Sequence, residues 1–518
     1  MRRVCWRVHS ESTVAAISLF LVVFLAVVLR MYNIENFKVL VSDEAIYAQS
    51  SYVISRGFIP YRDVFLAHPP FYFVVASYWM SLSGATLLFA RFLNVLLGIG
   101  TMVTIYFMCR KLYSTRVAVI ASLFYAVLPL AVFFDRIFLI DNALGLLSTL
   151  TVFAFLTYNK YGSLKYLLFS GFLAGLSLIT KFTAFQYIFF IFAALLLKKR
   201  FRNLGWFFLA ILPIPVLTGG ILLASGLLPA FLQETVYLQF LNRILAQTLI
   251  EKVYVLASYL FWILPFFGLA VFTMVNPRDN EAKSITLWYL IPFTLILFGN
   301  VVFFQYFIML NAPLCILAAL AVSRFEIPLS TKQLVKMCKW FSLNKMLLMF
   351  MWLFFVSASL CLTIGENLGN QENRIAQQAK VQSADYVKSI TEQTDKIWVT
   401  DASIAFFAQR IIVAPDSEYY KYQGFFSGSF AYSEDGKYRG PFGPGLPTLL
   451  HLSQILSAWQ TNKPKVIVVI RTSFLDSLIL NGIENSDYSE PGLRQYLTTH
   501  YDLTKTFDPG GIEVWVRE

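Results

Sequence analysis

The stretch VSDEAIYAQSSYVISRGFIPYRDVFLAHPP, residues 41–70, follows closely on a hydrophobic run over 13–30. It places an adjacent acidic pair, Asp43 and Glu44, just outside the first apolar segment of the chain. The double proline that ends the stretch interrupts the path back into the bilayer and fixes how His68 is presented. Apolar residues recur at helical spacing, which predicts an amphipathic helix on the membrane interface: Ile46, Tyr47, Tyr52, Val53 and Ile54.

The composition around this stretch is that of a membrane protein. Of 518 residues, 57% are hydrophobic, 17% aromatic and only 14% charged. Apolar runs of spanning length predict about eleven spans, with the first retained as a signal anchor. They lie near 13–31, 84–109, 116–134, 142–158, 165–180, 183–197, 205–224, 253–275, 285–303, 306–323 and 345–364.

The basic residues indicate topology. The net charge is +12, but the Lys and Arg residues sit in short clusters between apolar runs, which excludes nucleic acid as the partner and places those clusters in the cytoplasm. Under an eleven-span count the N-terminus is cytoplasmic, and the first loop and the C-terminal part are extracytoplasmic. The five cysteines show no CxxC spacing, so neither a disulfide framework nor a cysteine metal site is expected.

The composition changes after Thr363. A polar stretch with helical spacing is followed by KIWVT, PKVIVVI and GIEVWVRE, which have the length and pattern of strands. The predicted fold is therefore an all-α polytopic membrane bundle over residues 1–365, with a first extracytoplasmic loop over 32–83, and a soluble extracytoplasmic α/β domain over 366–518.

Several stretches resemble a known family in order and spacing. They are SDEAIYAQSSYVISRGFIPYRDVFLAHPP, ARFLNVLLG, FDRIFLIDNALG, LITKF and FFQYFIMLNAPLCILAALA, within residues 10–325. They are similar to the membrane glycosyltransferases of the protein O-mannosyltransferase and aminoarabinose-transferase group. The resemblance implies the C-type glycosyltransferase fold, with polyprenyl- or dolichyl-phosphate sugars as donors and a hydroxyl of protein, lipid or glycan as acceptor.

The resemblance also implies site residues. The family's acidic pair matches Asp43 and Glu44, which implies that both are catalytic, with Asp43 as the general base. Tyr47 stands in its usual position, where it would help to bind the donor. This chain has Ala67 and His68 before the prolines, where the family often has an acidic residue and a lysine, and the missing acid argues against an aminoarabinose donor. The remaining matches are Arg136, Asp141 and Lys181, followed by Gln305 and Tyr306 in a late span, and Arg91 is a further candidate for the donor phosphate.

These residue types suit one reaction. An acceptor hydroxyl needs a general base, whereas a phosphate leaving group departs as an anion and needs cations rather than an acid. One base together with Lys181, Arg136 and His68 would therefore suffice, with inversion at the anomeric carbon and mannose as the simplest sugar. No cofactor is expected, although Asp43, Glu44 and Asp141 leave a divalent metal as an alternative.

Each assignment has a structural rival. Lys181 would also fit a lysine that snorkels to the interface, Arg91 a partner for an acid of the first loop, and Tyr306 a core residue. Arg136 and Asp141 would also fit an ion pair that closes a short loop.

At the level of the whole chain, three other functions compete with the transferase. A flippase for lipid-linked sugars needs polar groups at mid-bilayer, a receptor needs fewer spans, and an oligosaccharyltransferase typically carries a WWD motif, which this sequence lacks. The short loops between the predicted spans favour a location in a prokaryotic plasma membrane over one in the endoplasmic reticulum.

Overall fold

The computed structural model describes most of the predicted bundle and part of the C-terminal domain. The described residues are 2–35, 42–64, 66–237, 247–299, 301–324, 371–399, 401–413, 438–440, 443–446, 452–470, 492–508 and 511–517. The predicted span over 345–364 and the predicted domain boundary at 365 and 366 lie outside them.

The described part of the bundle is helical. Its helices are α1 (Arg2–Met31), α2 (Ser42–Ser55), α3 (Phe71–Ser83), α4 (Leu87–Leu112), α5 (Thr115–Val127), α6 (Pro129–Phe134), α7 (Ile140–Tyr161), α8 (Leu164–Leu178), α9 (Phe185–Leu197), α10 (Phe201–Ile211), α11 (Pro213–Ala224), α12 (Leu228–Phe231), α13 (Leu249–Val275), α14 (Asn280–Leu297) and α15 (Asn311–Ser323). A π-helical turn, Leu232–Tyr237, and two 3₁₀ segments, Phe182–Ala184 and Phe304–Leu310, complete it.

Five segments among the described residues are long and apolar enough to cross a membrane: Leu87–Leu112, Ile140–Tyr161, Phe201–Ala224, Leu249–Val275 and Phe304–Ser323. Other apolar helices are shorter, and the count of about eleven spans stays a prediction. One reason is that proline divides some predicted spans. A single residue separates α5 from α6, which begins at Pro129, and a single residue separates α10 from α11, which begins at Pro213, although α10 and α11 together still form one segment of spanning length.

Helix α8 packs unusually closely on α10 and α11. A Cβ atom at Gly171 would lie 2.6 Å from the Cβ of Ala210, and one at Gly175 would collide with the carbonyl oxygen of Ile211. Pro215 stands four residues after Ile211 and has no N–H to offer that carbonyl. The N–H that would normally bond to the carbonyl of Ile211 is therefore missing from the helix that follows it. Because Gly175 has no side chain, α8 can approach this carbonyl closely. The contact lies six residues before Lys181.

The C-terminal part contains a mixed sheet. Its elements are α16 (Gln371–Ile390), β1 (Lys396–Val399), α17 (Ala402–Ala408), β2 (Ile411–Ile412), β3 (Tyr438–Gly440), β4 (Gly443–Leu446), α18 (Leu452–Asn462), β5 (Val466–Ile470), α19 (Gly492–His500), β6 (Tyr501–Phe507) and β7 (Ile512–Arg517). The five-stranded order is β2-β1-β5-β7-β6, and β3 and β4 pair separately.

The five-stranded sheet contains both parallel and antiparallel pairs of strands. β1 pairs in parallel with β2 and β5, whereas β7 runs antiparallel to β5 and β6. Every residue of the central strand β5 is buried, as expected for a strand covered on both faces. The three strand predictions from KIWVT, PKVIVVI and GIEVWVRE are confirmed, as is the polar helix before them.

Candidate active site

Helix α2 sends its two acidic side chains in different directions. Successive residues of an α-helix point about 100° apart, and Glu44 accordingly turns inward. Both of its oxygens are held by Arg91, with Nε to Oε1 and Nη2 to Oε2 each 2.8 Å. The backbone N–H of Phe138 donates to Oε1 at 2.9 Å, and Arg91 Nη1 donates to the carbonyl of Ile34 at 3.0 Å. Glu44 and Arg91 thus form a fully buried, bidentate pair.

Asp43 is half-buried and lies in a different environment. The side-chain amide of Gln305 donates to its Oδ2 at 3.1 Å, from the 3₁₀ segment that precedes α15. Among the residues that the structure describes, Asp43 takes part in no salt bridge. Burial raises the pKa of Asp43, while Lys181 lowers it and Asp141 raises it. The carboxylate is therefore close to a cation without being paired to it.

That cation is held by another acid. Lys181 Nζ donates to both oxygens of Asp141, at 2.7 and 2.8 Å, and both side chains are buried. The same ammonium lies 5.1 Å from the ring centroid of Tyr306, a cation–π contact. The backbone N–H of Lys181 donates to the carbonyl of Ser177 at 2.9 Å, which fixes it to the end of α8. The buried position differs from that of a lysine that snorkels to the interface.

His68 lies beside the same group. Its Nε2 is 2.9 Å from the hydroxyl of Tyr47, one turn beyond Asp43 on α2, and its carbonyl accepts from the hydroxyl of Tyr61 at 2.9 Å. Burial lowers the pKa of His68 well below its usual range, and Lys181 adds to this effect. The imidazole is therefore neutral at neutral pH.

The loop is also tied to the bundle on each side of His68. The N–H of Leu66 donates to Oε2 of Glu234 at 3.0 Å, and Thr235 donates to the carbonyl of Leu66 at 3.2 Å. On the other side, the N–H of Phe71 donates to the carbonyl of Ile179 at 3.2 Å. These contacts hold the segment that contains His68 against the segment that contains Lys181.

Part of the sequence and the fold of the chain are similar to those of known proteins. Residues 67–224 match the family model described as dolichyl-phosphate-mannose-protein mannosyltransferase. ArnT from Cupriavidus metallidurans bound to undecaprenyl phosphate is similar in structure, with a TM-score of 0.67, 15% identity and 98% of each chain covered. An Archaeoglobus fulgidus oligosaccharyltransferase tethered to an acceptor peptide has a TM-score of 0.54 and 12% identity, over 97% of this chain and 74% of that one.

The chain has the C-type glycosyltransferase fold. No curated protein matches it. The family match confirms the predicted resemblance and the predicted enzyme class, a glycosyltransferase. The coarser prediction, a helical membrane fold with a small C-terminal sheet, is also confirmed.

Within this glycosyltransferase fold, the structure brings most predicted site residues to one place. Asp43, Tyr47, His68, Asp141, Lys181, Gln305 and Tyr306 are linked through the contacts described above. Arg91 lies apart, on Glu44. Arg136 is buried, and its Nη2 donates to the carbonyl of Tyr32 at 2.6 Å.

Sequence reasoning missed a buried ion pair within the bundle. Arg30, the last basic residue of α1, donates from Nε to Oδ2 of Asp135 at 2.9 Å, and both side chains are buried. Its Nη1 and Nη2 also donate to the carbonyls of Ala126 and Tyr125, at 3.0 and 3.3 Å. A Cβ atom at Gly98 would overlap the Asp135 carboxylate. The available signal was an acid embedded in the apolar sequence FFDRIF.

Across the described ranges, no three His, Cys, Asp or Glu side chains form a group that could hold a metal ion. Asp43 and Glu44 diverge, and Asp141 is engaged by Lys181. The divalent-metal alternative therefore rests on Asp43 with oxygen atoms that a substrate would bring.

Proposed function

We propose that this chain transfers a sugar from a polyprenyl- or dolichyl-phosphate donor to a hydroxyl of a protein, lipid or glycan outside the cytoplasm. Mannose is the sugar that the matched family's description favours. The observation that carries the proposal is the state of Asp43, a half-buried carboxylate that is oriented by Gln305, lies near Lys181 and, among the described residues, has no salt bridge. Such a carboxylate is available to accept a proton.

The proposed step is a single displacement. The acceptor oxygen bonds to the anomeric carbon while its proton passes to Asp43. The bond between that carbon and the phosphate oxygen breaks, and polyprenyl phosphate leaves with the electron pair. Attack and departure take place on opposite faces, so the configuration at the anomeric carbon inverts.

Lys181 is proposed to stabilise the leaving phosphate. An ammonium has three donors, and two of them are occupied by the oxygens of Asp141. The third would remain for a phosphate oxygen, in a buried site where such a contact is stronger than in water. Neutral His68 would add a hydrogen bond rather than a charge, and Arg136 stays a candidate on the adjoining turn. The sequence predicts a catalytic role for Glu44 as well; we propose instead that Glu44 and Arg91 position α2.

The first experiment compares the purified protein with Asp43→Asn in transfer of radiolabelled sugar from a panel of polyprenyl-phosphate sugars. Loss of a general base lowers the rate by about 10²- to 10⁴-fold, and we expect Asp43→Asn to lose transfer in that range while still binding the lipid. Asp63→Asn is the matched control, since Asp63 lies in the same loop but pairs with exposed Arg62. Assays with and without a chelator decide the metal question.

Other outcomes would redirect the proposal. Equal transfer by wild type and Asp43→Asn would remove Asp43 from the base role. If every variant bound the lipid and none transferred sugar to any acceptor tested, the flippase hypothesis would take precedence.

A further inference from the structure

The soluble domain touches the helix that carries Asp43. The amide of Gln49 donates from Nε2 to the carbonyl of Arg410 at 2.9 Å, and the hydroxyl of Tyr52 donates to the carbonyl of Gln409 at 2.9 Å. Both donors are buried side chains on α2. Phe406, from α17 of the soluble domain, packs edge-on against the Tyr52 ring and belongs to the apolar core of the membrane bundle.

The accepting carbonyls are held rigidly from the soluble side. Gln409 ends α17 in a left-handed conformation (φ 56°), and its side chain reaches the bundle by donating to the carbonyl of Ala85 at 3.2 Å. The Arg410 guanidinium points into the soluble domain, donating to Thr391 Oγ1 at 2.8 Å, to the Thr391 carbonyl at 2.5 Å and to the Ala408 carbonyl at 2.9 Å. Arg410 thus joins the C-terminal ends of two helices, where cations are favoured.

This contact can affect the active site because it is made by the same helix that carries Asp43. Gln49 follows Asp43 by six residues on the same helix, a distance of about 9 Å along the axis at 1.5 Å per residue. A shift of α2 at Gln49 and Tyr52 would therefore be passed to Asp43 and would change its contact with Gln305. Displacements of about 1 Å in a catalytic group can lower a rate by about 100-fold.

We propose that residues 406–410 of the soluble domain form a brace that fixes α2, and that Gln49 and Tyr52 are positioning residues for Asp43. The inference rests on the proposed function. It gives the soluble domain a part in the transfer step, separate from any role in acceptor binding.

The test uses the full-length protein and near-isosteric changes. Gln49→Leu and Tyr52→Phe each remove one donor to the brace. We expect kcat to fall about tenfold or more in each, with the donor KM within about twofold of wild type, because donor-binding groups stay in place. The matched control is Tyr501→Phe, which removes a hydroxyl donor to the carbonyl of Pro464 at 2.7 Å within the soluble domain and should leave kcat unchanged.

A double-mutant cycle separates positioning from general stability. If Gln49 acts through Asp43, the Gln49→Leu effect on kcat should largely disappear in an Asp43→Asn background. Full additivity, or a kcat for Tyr52→Phe equal to that of Tyr501→Phe, would overturn the brace while leaving the proposed function intact. An inactive wild type would instead contradict the proposed function itself. If Gln49→Leu does not fold, the kcat of Tyr52→Phe alone tests the brace, because this substitution removes only one oxygen atom and should leave the fold intact.

Discussion

Glu44 and Asp43 are neighbours in sequence, but Glu44 lies in an ion pair, whereas Asp43 is in none within the described part of the chain. Glu44 is fully buried with Arg91 as its counter-ion, and an unpartnered buried charge is costly. We expect Glu44→Gln to destabilise the protein by about 3–5 kcal/mol by leaving Arg91 without its carboxylate. The melting temperature and yield in detergent measure this loss.

A matched change tests whether burial of the ion pair is the reason for this loss of stability. Arg62→Gln removes an ion pair whose arginine is 59% exposed, and exposed pairs add little to stability because water screens them. A loss of stability in Glu44→Gln no larger than in Arg62→Gln would contradict a structural role for Glu44.

At the level of single residues, the sequence indicated which residues to consider for the site, but not which of them form ion pairs with one another. The resemblance to a known family assigned Asp43, Lys181, Asp141 and Gln305 to the site, because their positions match its motifs. It left open whether Asp141 pairs with Arg136 or another group. That choice depends on how helices rotate and approach, and the contact of Asp141 with Lys181 crosses 40 residues of chain.

Among the elements, α8 determines where Lys181 stands. Gly175→Ala places a methyl group against the carbonyl of Ile211, and such overpacking costs about 1–3 kcal/mol. We expect a lower melting temperature together with reduced sugar transfer, because α8 must move away from α10 and carry Lys181 with it. Both are measured on the purified protein.

Gly219→Ala is the control for this change. A Cβ atom there meets nothing within 4 Å, and alanine is favoured over glycine in a helix by about 1 kcal/mol. Equal stability for the two alanine variants would refute the close approach of α8. Such approaches, like the breaks at Pro129 and Pro213, escape hydropathy analysis because an apolar run has the same average whether its helix is straight or interrupted.

For the whole molecule, the proposed orientation puts the soluble domain and the active site on one side of the membrane. Gln393 and Lys165 are both exposed, on the predicted outer and cytoplasmic sides respectively. In a cysteine-free background, Gln393→Cys should react with a membrane-impermeant maleimide on intact cells. Lys165→Cys should react only after permeabilisation, and the reverse pattern would invert the topology.

The trio of Gly98, Arg30 and Asp135 restricts how this chain can diverge. The carboxylate occupies the space that a side chain at position 98 would need, and the guanidinium holds that carboxylate in place. Each single replacement leaves either a collision or a buried charge without its partner, so replacing one of the three calls for a change at another. The trio thus couples helices α1 and α4 to the turn before α7, so that a change at any one of the three residues disturbs the place of the other two.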